Sequence, residues 1–180
     1  PGKRALQFHS VSDRVRVNLP GEYPQFTLAA WVQLHSLNAR QSQSSICMSQ
    51  GLEVGGVHWQ VIYTGAMCLG IVAEAHPSVT DDYISPVVFT PERFGQWVHL
   101  AAAFDSGAKE VRFYVNGALL SRHPLKRVVM PRPATAEFGN WIPAPDYRGA
   151  HAVRNFVGCM DEVSFYTRAL RNEEVRQLMP

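Results

Sequence analysis

The segment from Trp141 to Arg154 holds the densest set of groups able to recognise a ligand. Trp141 and Tyr147 carry flat apolar rings with a polar edge, suited to stacking on the face of a sugar. Asp146, Arg148, His151 and Arg154 lie around them, and such groups can fork to hydroxyls or to acidic ligands. Pro143, Pro145 and Gly149 punctuate the segment, which follows neither helix nor strand periodicity. Prolines stiffen a loop and lower the entropy lost on binding. The competing role is a long connector whose Trp141 and Tyr147 only cover the edge of the domain. Trp59 and Tyr63 share a face of one strand pattern, which places them either in the core or along a ligand-facing sheet.

Asp161 is the second feature with chemistry in it. Val157, Cys159, Val163 and Phe165 alternate at period two, and Asp161 falls in that apolar row. An aspartate there must be paired or hydrogen-bonded. Arg168, the backbone of a crossing segment, or a bound cation would each satisfy it. With Arg168 as partner, the pair ties the C-terminal turn to the core.

Hydrolysis is disfavoured by spacing. A retaining glycosidase needs two carboxyls about 5–5.5 Å apart, which on one strand means acids at i and i+2 or i+4. Asp161 and Glu162 are adjacent and point to opposite faces, while Asp105, Glu110 and Glu137 stand alone. No H-E-x-x-H, no G-x-S-x-G and no phosphate-cradling glycine run is present. Cys47, Cys68 and Cys159 form no C-x-x-C pair and sit in apolar segments, as buried free thiols do. The spacing leaves one disulfide plus one free thiol as the other arrangement.

The elements that must position these groups read as strands. Alternation marks 14–17, 26–34, 97–105 and 111–116, with further strands at 4–8, 57–63, 67–73, 83–89 and 118–123 and short ones at 46–49 and 135–140. Residues 38–45 read as an exposed polar loop, and 75–82 as a loop with an acidic tip at Asp81-Asp82. Asn116-Gly117 is the strongest hairpin signal, because both central residues of a type I′ turn need positive φ. One helix is expected, at the C-terminal end, with Asn172 as N-cap and Glu173 and Glu174 in its first turn. About a dozen short strands without alternating helices predict an all-β, antiparallel two-sheet sandwich with one short C-terminal helix.

The bulk properties agree. A chain of 180 residues suits a single domain spanning 1–180, and 46% hydrophobic residues supply a substantial core. A formal net charge of +2 gives no basis for nucleic-acid binding. No apolar run approaches the ~18 residues of a membrane span, so no direct membrane insertion is expected. The chain opens on Pro1-Gly2, which we read as a piece of a longer protein whose other domains are partners.

Several stretches, in order, carry a family resemblance. They are Ala5-Leu6-Gln7-Phe8, Phe26-Thr27-Leu28-Ala29-Ala30-Trp31-Val32, and Trp97-Val98-His99-Leu100 through Asp105. Val111-Arg112-Phe113-Tyr114-Val115-Asn116-Gly117, Phe138-Gly139-Asn140-Trp141 and Gly158-Cys159-Met160-Asp161-Glu162 through Leu170 follow. Together they resemble the bacterial laminin-G-like domains of the concanavalin A-like lectin/glucanase superfamily. The resemblance implies a jelly roll with one concave and one convex sheet. It implies an extracytoplasmic, periplasmic, cell-surface or secreted module, appended to a secreted enzyme or a FecR-like regulator. It implies a non-catalytic function, recognition of glycan or protein, with a purely structural or protein-interaction role and a glycoside hydrolase as the alternatives. Many relatives have Phe-Asp-Gly at the first corner, and some of them use its acidic or backbone oxygens for calcium. Here Phe8-His9-Ser10 stands there, so a calcium ion would draw on Asp13 and Asp161. No other cofactor is expected.

Overall fold

The computed structural model describes residues 4–37, 43–51, 53–75, 78–141 and 154–180. They form two six-stranded antiparallel sheets packed face to face. In chain order the strands are β1 (Leu6–Phe8), β2 (Arg14–Leu19), β3 (Gln25–Leu34), β4 (Gln43–Ser49), β5 (Val57–Ile62) and β6 (Ala66–Ala75). They continue as β7 (Ser78–Val87), β8 (Trp97–Asp105), β9 (Glu110–Val115), β10 (Ala118–Pro124), β11 (Ala134–Gly139) and β12 (Gly158–Tyr166), followed by helix α1 (Asn172–Arg176). The first sheet runs β1-β12-β3-β8-β9-β10 and the second β2-β11-β4-β5-β6-β7. No helix among the described residues is long and apolar enough to cross a membrane.

The expected alternation builds the core. Phe26, Leu28, Ala30, Val32 and Leu34 of β3 face Trp59, Val61, Met67 and Leu69 of the second sheet within one cluster. Phe26 stacks between Phe104 and Phe165, with ring centroids 5.5 and 5.8 Å away. Each such side chain contributes roughly 1.5–3 kcal/mol by leaving water. Trp59 is fully buried in this core, not on a ligand-facing surface. The hairpin at Asn116 and Gly117 forms as expected, with φ of 48° and 75°.

Three segments differ from the sequence expectation. Asp81 and Asp82 lie inside β7, opposite Ile71 and Gly70, rather than at a loop tip. Strand geometry is tolerated there because each acid has a cation or donor: Arg127 Nε is 3.3 Å from Asp81 and His58 Nε2 is 2.9 Å from Asp82. Ser44 and Ser45 are buried in β4 because backbone pairing with Val61 and Gln60 continues through them. In α1 the N-cap is Arg171, and Asn172 is the first helical residue.

A further difference reverses the reading of Asp161. Met160 pairs with Val32 and faces the core, so Asp161, paired with Trp31, faces outward. A bulge follows between Asp161 and Ser164, with Glu162 at φ 50°. The extra residue shifts the phase, and Val163 and Phe165 then pack on the core. Asp161 is therefore not in the apolar row. Arg168 does not reach it either: its guanidinium meets Glu174 at 2.7 Å. The C-terminal turn is held instead by buried Thr27, whose Oγ1 donates to the Arg168 carbonyl and accepts from the Leu170 N–H, each at 2.9 Å.

Helix α1 is too short to persist alone. Leu170 and Val175 pack it on Ala29, Ala101, Ala103 and Tyr114, on the outer face of the first sheet. The alanines leave room for the helix, and Tyr114 Oη donates to Asn172 Oδ1 at 3.0 Å. Beside it His99 is buried edge-on to Trp31, with ring centroids 5.4 Å apart.

Burial pushes the His99 pKa down from 6.5 to about 4. The folded state thus holds the ring neutral where the unfolded chain protonates it. Stability from this residue is complete above pH 6.5 and is lost as pH falls toward 4. The expected loss is on the order of 2–3 kcal/mol. Urea denaturation at pH 7 and pH 4.5 should show a smaller pH effect in His99→Leu than in the native protein. Equal pH effects would mean that the ring is not held neutral.

Candidate functional site

The outer face of the second sheet is polar yet buried. Register places Arg16, Glu137, Met48, His58, Gly70 and Asp82 in one row across β2, β11, β4, β5, β6 and β7. Gln60 and Cys68 form the neighbouring pair on the same face, because side chains two residues apart along a strand share it. Glu137, Gln60, Cys68, Met48 and His58 are all buried.

Each buried charge on this face is compensated, as the cost of isolating it demands. Glu137 accepts from Arg16 Nη2 at 2.7 Å and lies 3.4 Å from Arg14 Nε. His58 Nε2 and Asp82 Oδ1 are 2.9 Å apart, directly above Gly70. A Cβ on Gly70 would sit 1.8 Å from His58 Nε2 and 2.5 Å from Asp82 Oδ1, so the missing side chain is what seats the pair. Burial pushes the Cys68 thiol up to about 12, Asp82 adds to the rise, and a Gln60 hydrogen bond works against it.

Trp141 and Arg154 meet on this same face. They form an isolated antiparallel bridge. Trp141 Nε1 donates to the Ser49 carbonyl at 2.9 Å. Arg154 lies over the indole with its guanidinium carbon 5.1 Å from the ring centre, and its Nη1 donates to Gln60 Oε1 at 2.7 Å. The two residues clamp the ends of the segment between them onto β4 and β5. Trp141 is only 1% exposed, which leaves its indole no free face for a sugar. Asp146, Tyr147, Arg148 and His151 lie outside the described residues.

The proposed calcium ligands do not converge. Asp161 lies past the Leu6 end of β1, one residue beyond the Leu6–Met160 pair, while Asp13 follows the Phe8 end. Asp13 Oδ2 accepts the N–H groups of His9 and Ser10 at 2.8 Å each, and those bonds hold its pKa low. The carbonyls of Ser10 and Asp13 each accept from Asn140 Nδ2 at 2.7 Å, so an amide stands where a cation would collect these oxygens. Asp161 Oδ1 accepts from the Glu162 N–H at 2.9 Å. The pair does not fit a shared calcium ion, which gathers six to eight oxygens around one point.

Sequence reasoning missed His58, Gln60, Cys68, Asp82 and Glu137 as members of one face. Their mutual proximity is a product of strand register, and no local spacing signals it.

The comparisons with known proteins agree with the architecture. A sequence search of curated proteins finds no match. Solved structures share the fold at low identity. A Bacteroides ovatus protein described as a candidate carbohydrate binding protein superposes with a TM-score of 0.69 at 17% identity, covering 96% of this chain and 46% of that one. The chain thus spans less than half the length of that protein. A heptameric SAP-like pentraxin from Limulus polyphemus gives 0.64 at 16% identity, covering 100% of this chain and 79% of the pentraxin chain. The CBM40 of the Ruminococcus gnavus IT-sialidase, solved bound to alpha2,3 sialyllactose, gives 0.61 at 15%, covering 96% of this chain and 100% of that one. The Laminin_G_3 family model, described as Concanavalin A-like lectin/glucanases superfamily, matches residues 10–176. With its two six-stranded sheets and a family match over most of its length, this chain belongs to the concanavalin A-like lectin/glucanases superfamily.

Proposed function

We propose that the domain is a non-catalytic recognition module, working outside the cytoplasm as part of a larger protein. It binds glycan through the segment between Trp141 and Arg154. The observation that carries this reading is the clamp. The Trp141–Arg154 bridge, the Ser49 and Gln60 hydrogen bonds and the guanidinium–indole stack fasten both ends of that segment to a rigid sheet. A ligand-binding loop with fixed ends loses less entropy when its contacts form. The sugar-bound Ruminococcus gnavus module, on the same fold, supports a glycan as ligand.

On this outer face of the second sheet, spacing supports a role without catalysis. The acids in the cross-strand row are Glu137 on β11 and Asp82 on β7, with β4, β5 and β6 between them. Four inter-strand steps of about 4.8 Å separate them by roughly 19 Å. Paired glycosidase carboxyls lie about 5–9.5 Å apart.

A glycan array, run with and without calcium, tests the reading. Tyr147→Ala and Arg148→Ala are the informative variants, because Trp141 is buried and its loss would perturb folding. Each is expected to weaken sugar binding at least tenfold while leaving the thermal midpoint unchanged. Full glycan binding in both variants would overturn the assignment to this segment.

One observation favours a protein ligand as the second reading. Tyr63, Ile84 and Val87 are 65%, 47% and 54% exposed at or near the edge strand β7. Edge strands with apolar neighbours are ready docking surfaces. Silence on the array together with recovery of a protein partner would favour it.

A further inference from the structure

We propose that His58, Cys68 and Asp82 form a site for a borderline-soft divalent cation of the zinc type, distinct from the segment proposed to bind glycan. A ring nitrogen of His58, Cys68 Sγ and a carboxylate oxygen of Asp82 all lie within 4.8 Å of one another, and Nε2 is the nitrogen that faces Asp82. They come from three adjacent strands, β5, β6 and β7, so the sheet itself fixes their spacing.

The donor set selects the metal class. Imidazole and thiolate suit zinc and its neighbours, whereas calcium and magnesium want oxygen. Tetrahedral zinc with bonds of about 2.0–2.3 Å sets its ligand atoms about 3.3–3.6 Å apart. The His58–Asp82 contact of 2.9 Å must open by a few tenths of an ångström, and the sulfur must draw in. Both are side-chain movements. Gly70 leaves the space below the pair free, since any Cβ there would collide with both groups.

The charge balance also fits. A neutral imidazole, a thiolate and a carboxylate carry two negative charges, which one divalent cation cancels, and burial then costs little. His58 would hold its proton on Nδ1 and give the Nε2 lone pair to the metal. The Cys68 proton leaves to solvent on binding, as metal–thiolate formation requires. Gln60 stands opposite Cys68 on the neighbouring strand and is itself held by Arg154, an outer-shell arrangement of the kind that orients ligands. The Asp82 side chain is 43% exposed, which gives the ion a route in and leaves a fourth position for water.

The test uses the reduced, chelator-treated protein titrated with Co²⁺, then with Zn²⁺ in competition. One Co²⁺ per chain and a thiolate-to-cobalt charge-transfer band are expected, with zinc displacing the cobalt. Cys68→Ser should abolish the band. Asp82→Asn, at a half-exposed position that does not threaten folding, should weaken binding by more than the roughly 10–100-fold attached to outer-shell changes. Zinc should raise the thermal midpoint of the native protein and not that of Asp82→Asn. Absence of a charge-transfer band in the native protein would overturn the site. So would a band of unchanged strength and affinity in Asp82→Asn.

Discussion

Trp141→Ala is expected to lower stability by about 4 kcal/mol, a large share of the roughly 5–15 kcal/mol typical of a domain. The indole is 1% exposed, so its removal opens a cavity on a face that cannot collapse freely between β4 and β5. The same change strands the Ser49 carbonyl, which now accepts from Nε1 at 2.9 Å. It also removes the ring beneath the Arg154 guanidinium, whose carbon lies 5.1 Å from the ring centre. These contributions share neighbours and do not add simply. Trp141→Phe separates them: most packing survives, the Ser49 bond does not, and a loss of about 1–2 kcal/mol is expected. Urea denaturation of the three proteins measures both. A cost below about 1 kcal/mol for the alanine variant would show that the clamp is not structural, and would return Trp141 to the role of a stacking platform.

The parts of the fold that were legible in sequence are those specified locally. Phe26, Leu28, Ala30, Val32 and Leu34 announce β3 by alternation alone, and Asn116-Gly117 announces its hairpin by the φ values those residues tolerate. What was illegible depends on partners or on a local exception. Glu162 takes φ 50° although nothing in its side chain favours it, so the bulge that turns Asp161 outward leaves no mark in the residue pattern. Asp81-Asp82 has the composition of a turn, and only Arg127 and His58, distant in sequence, make it a strand. The clamp was half legible. Trp141 and Arg154 stood out as chemistry-bearing groups, but their burial could not be read without Gln60, Ser49 and Met48 beneath them. The His58–Cys68–Asp82 group is the extreme case, since each member looks ordinary in its own strand and only register brings them together.

Asn140 should be nearly as sensitive as Trp141, for a different reason. Its Nδ2 donates to the carbonyls of Ser10 and Asp13, and its Oδ1 accepts from the Phe156 N–H at 2.6 Å. One buried amide thus joins the β1–β2 turn, the end of β11 and the approach to β12. Asn140→Ala strands the N–H of fully buried Phe156, while the carbonyls near the surface can turn to water. The expected cost is about 2–4 kcal/mol. Asn140→Asp keeps the acceptor for Phe156 but turns a second carboxylate oxygen toward two carbonyl oxygens. The charged form is then disfavoured, so the folded-state pKa of the new acid rises above its unfolded value of about 3.9. Below that unfolded value the acid is protonated in both states and its O–H can serve one carbonyl. As pH rises through the folded value, that relief is lost. The stability gap between Asn140→Asp and the native protein should therefore be widest at neutral pH and narrow in acid, while the gap for Asn140→Ala stays flat. Denaturation midpoints of the three proteins at pH 7 and pH 4 decide it. A flat gap for the aspartate variant would mean that the carboxylate escapes the two carbonyls, and that this corner is held by packing of Phe8 against Gly139 and Phe156 instead.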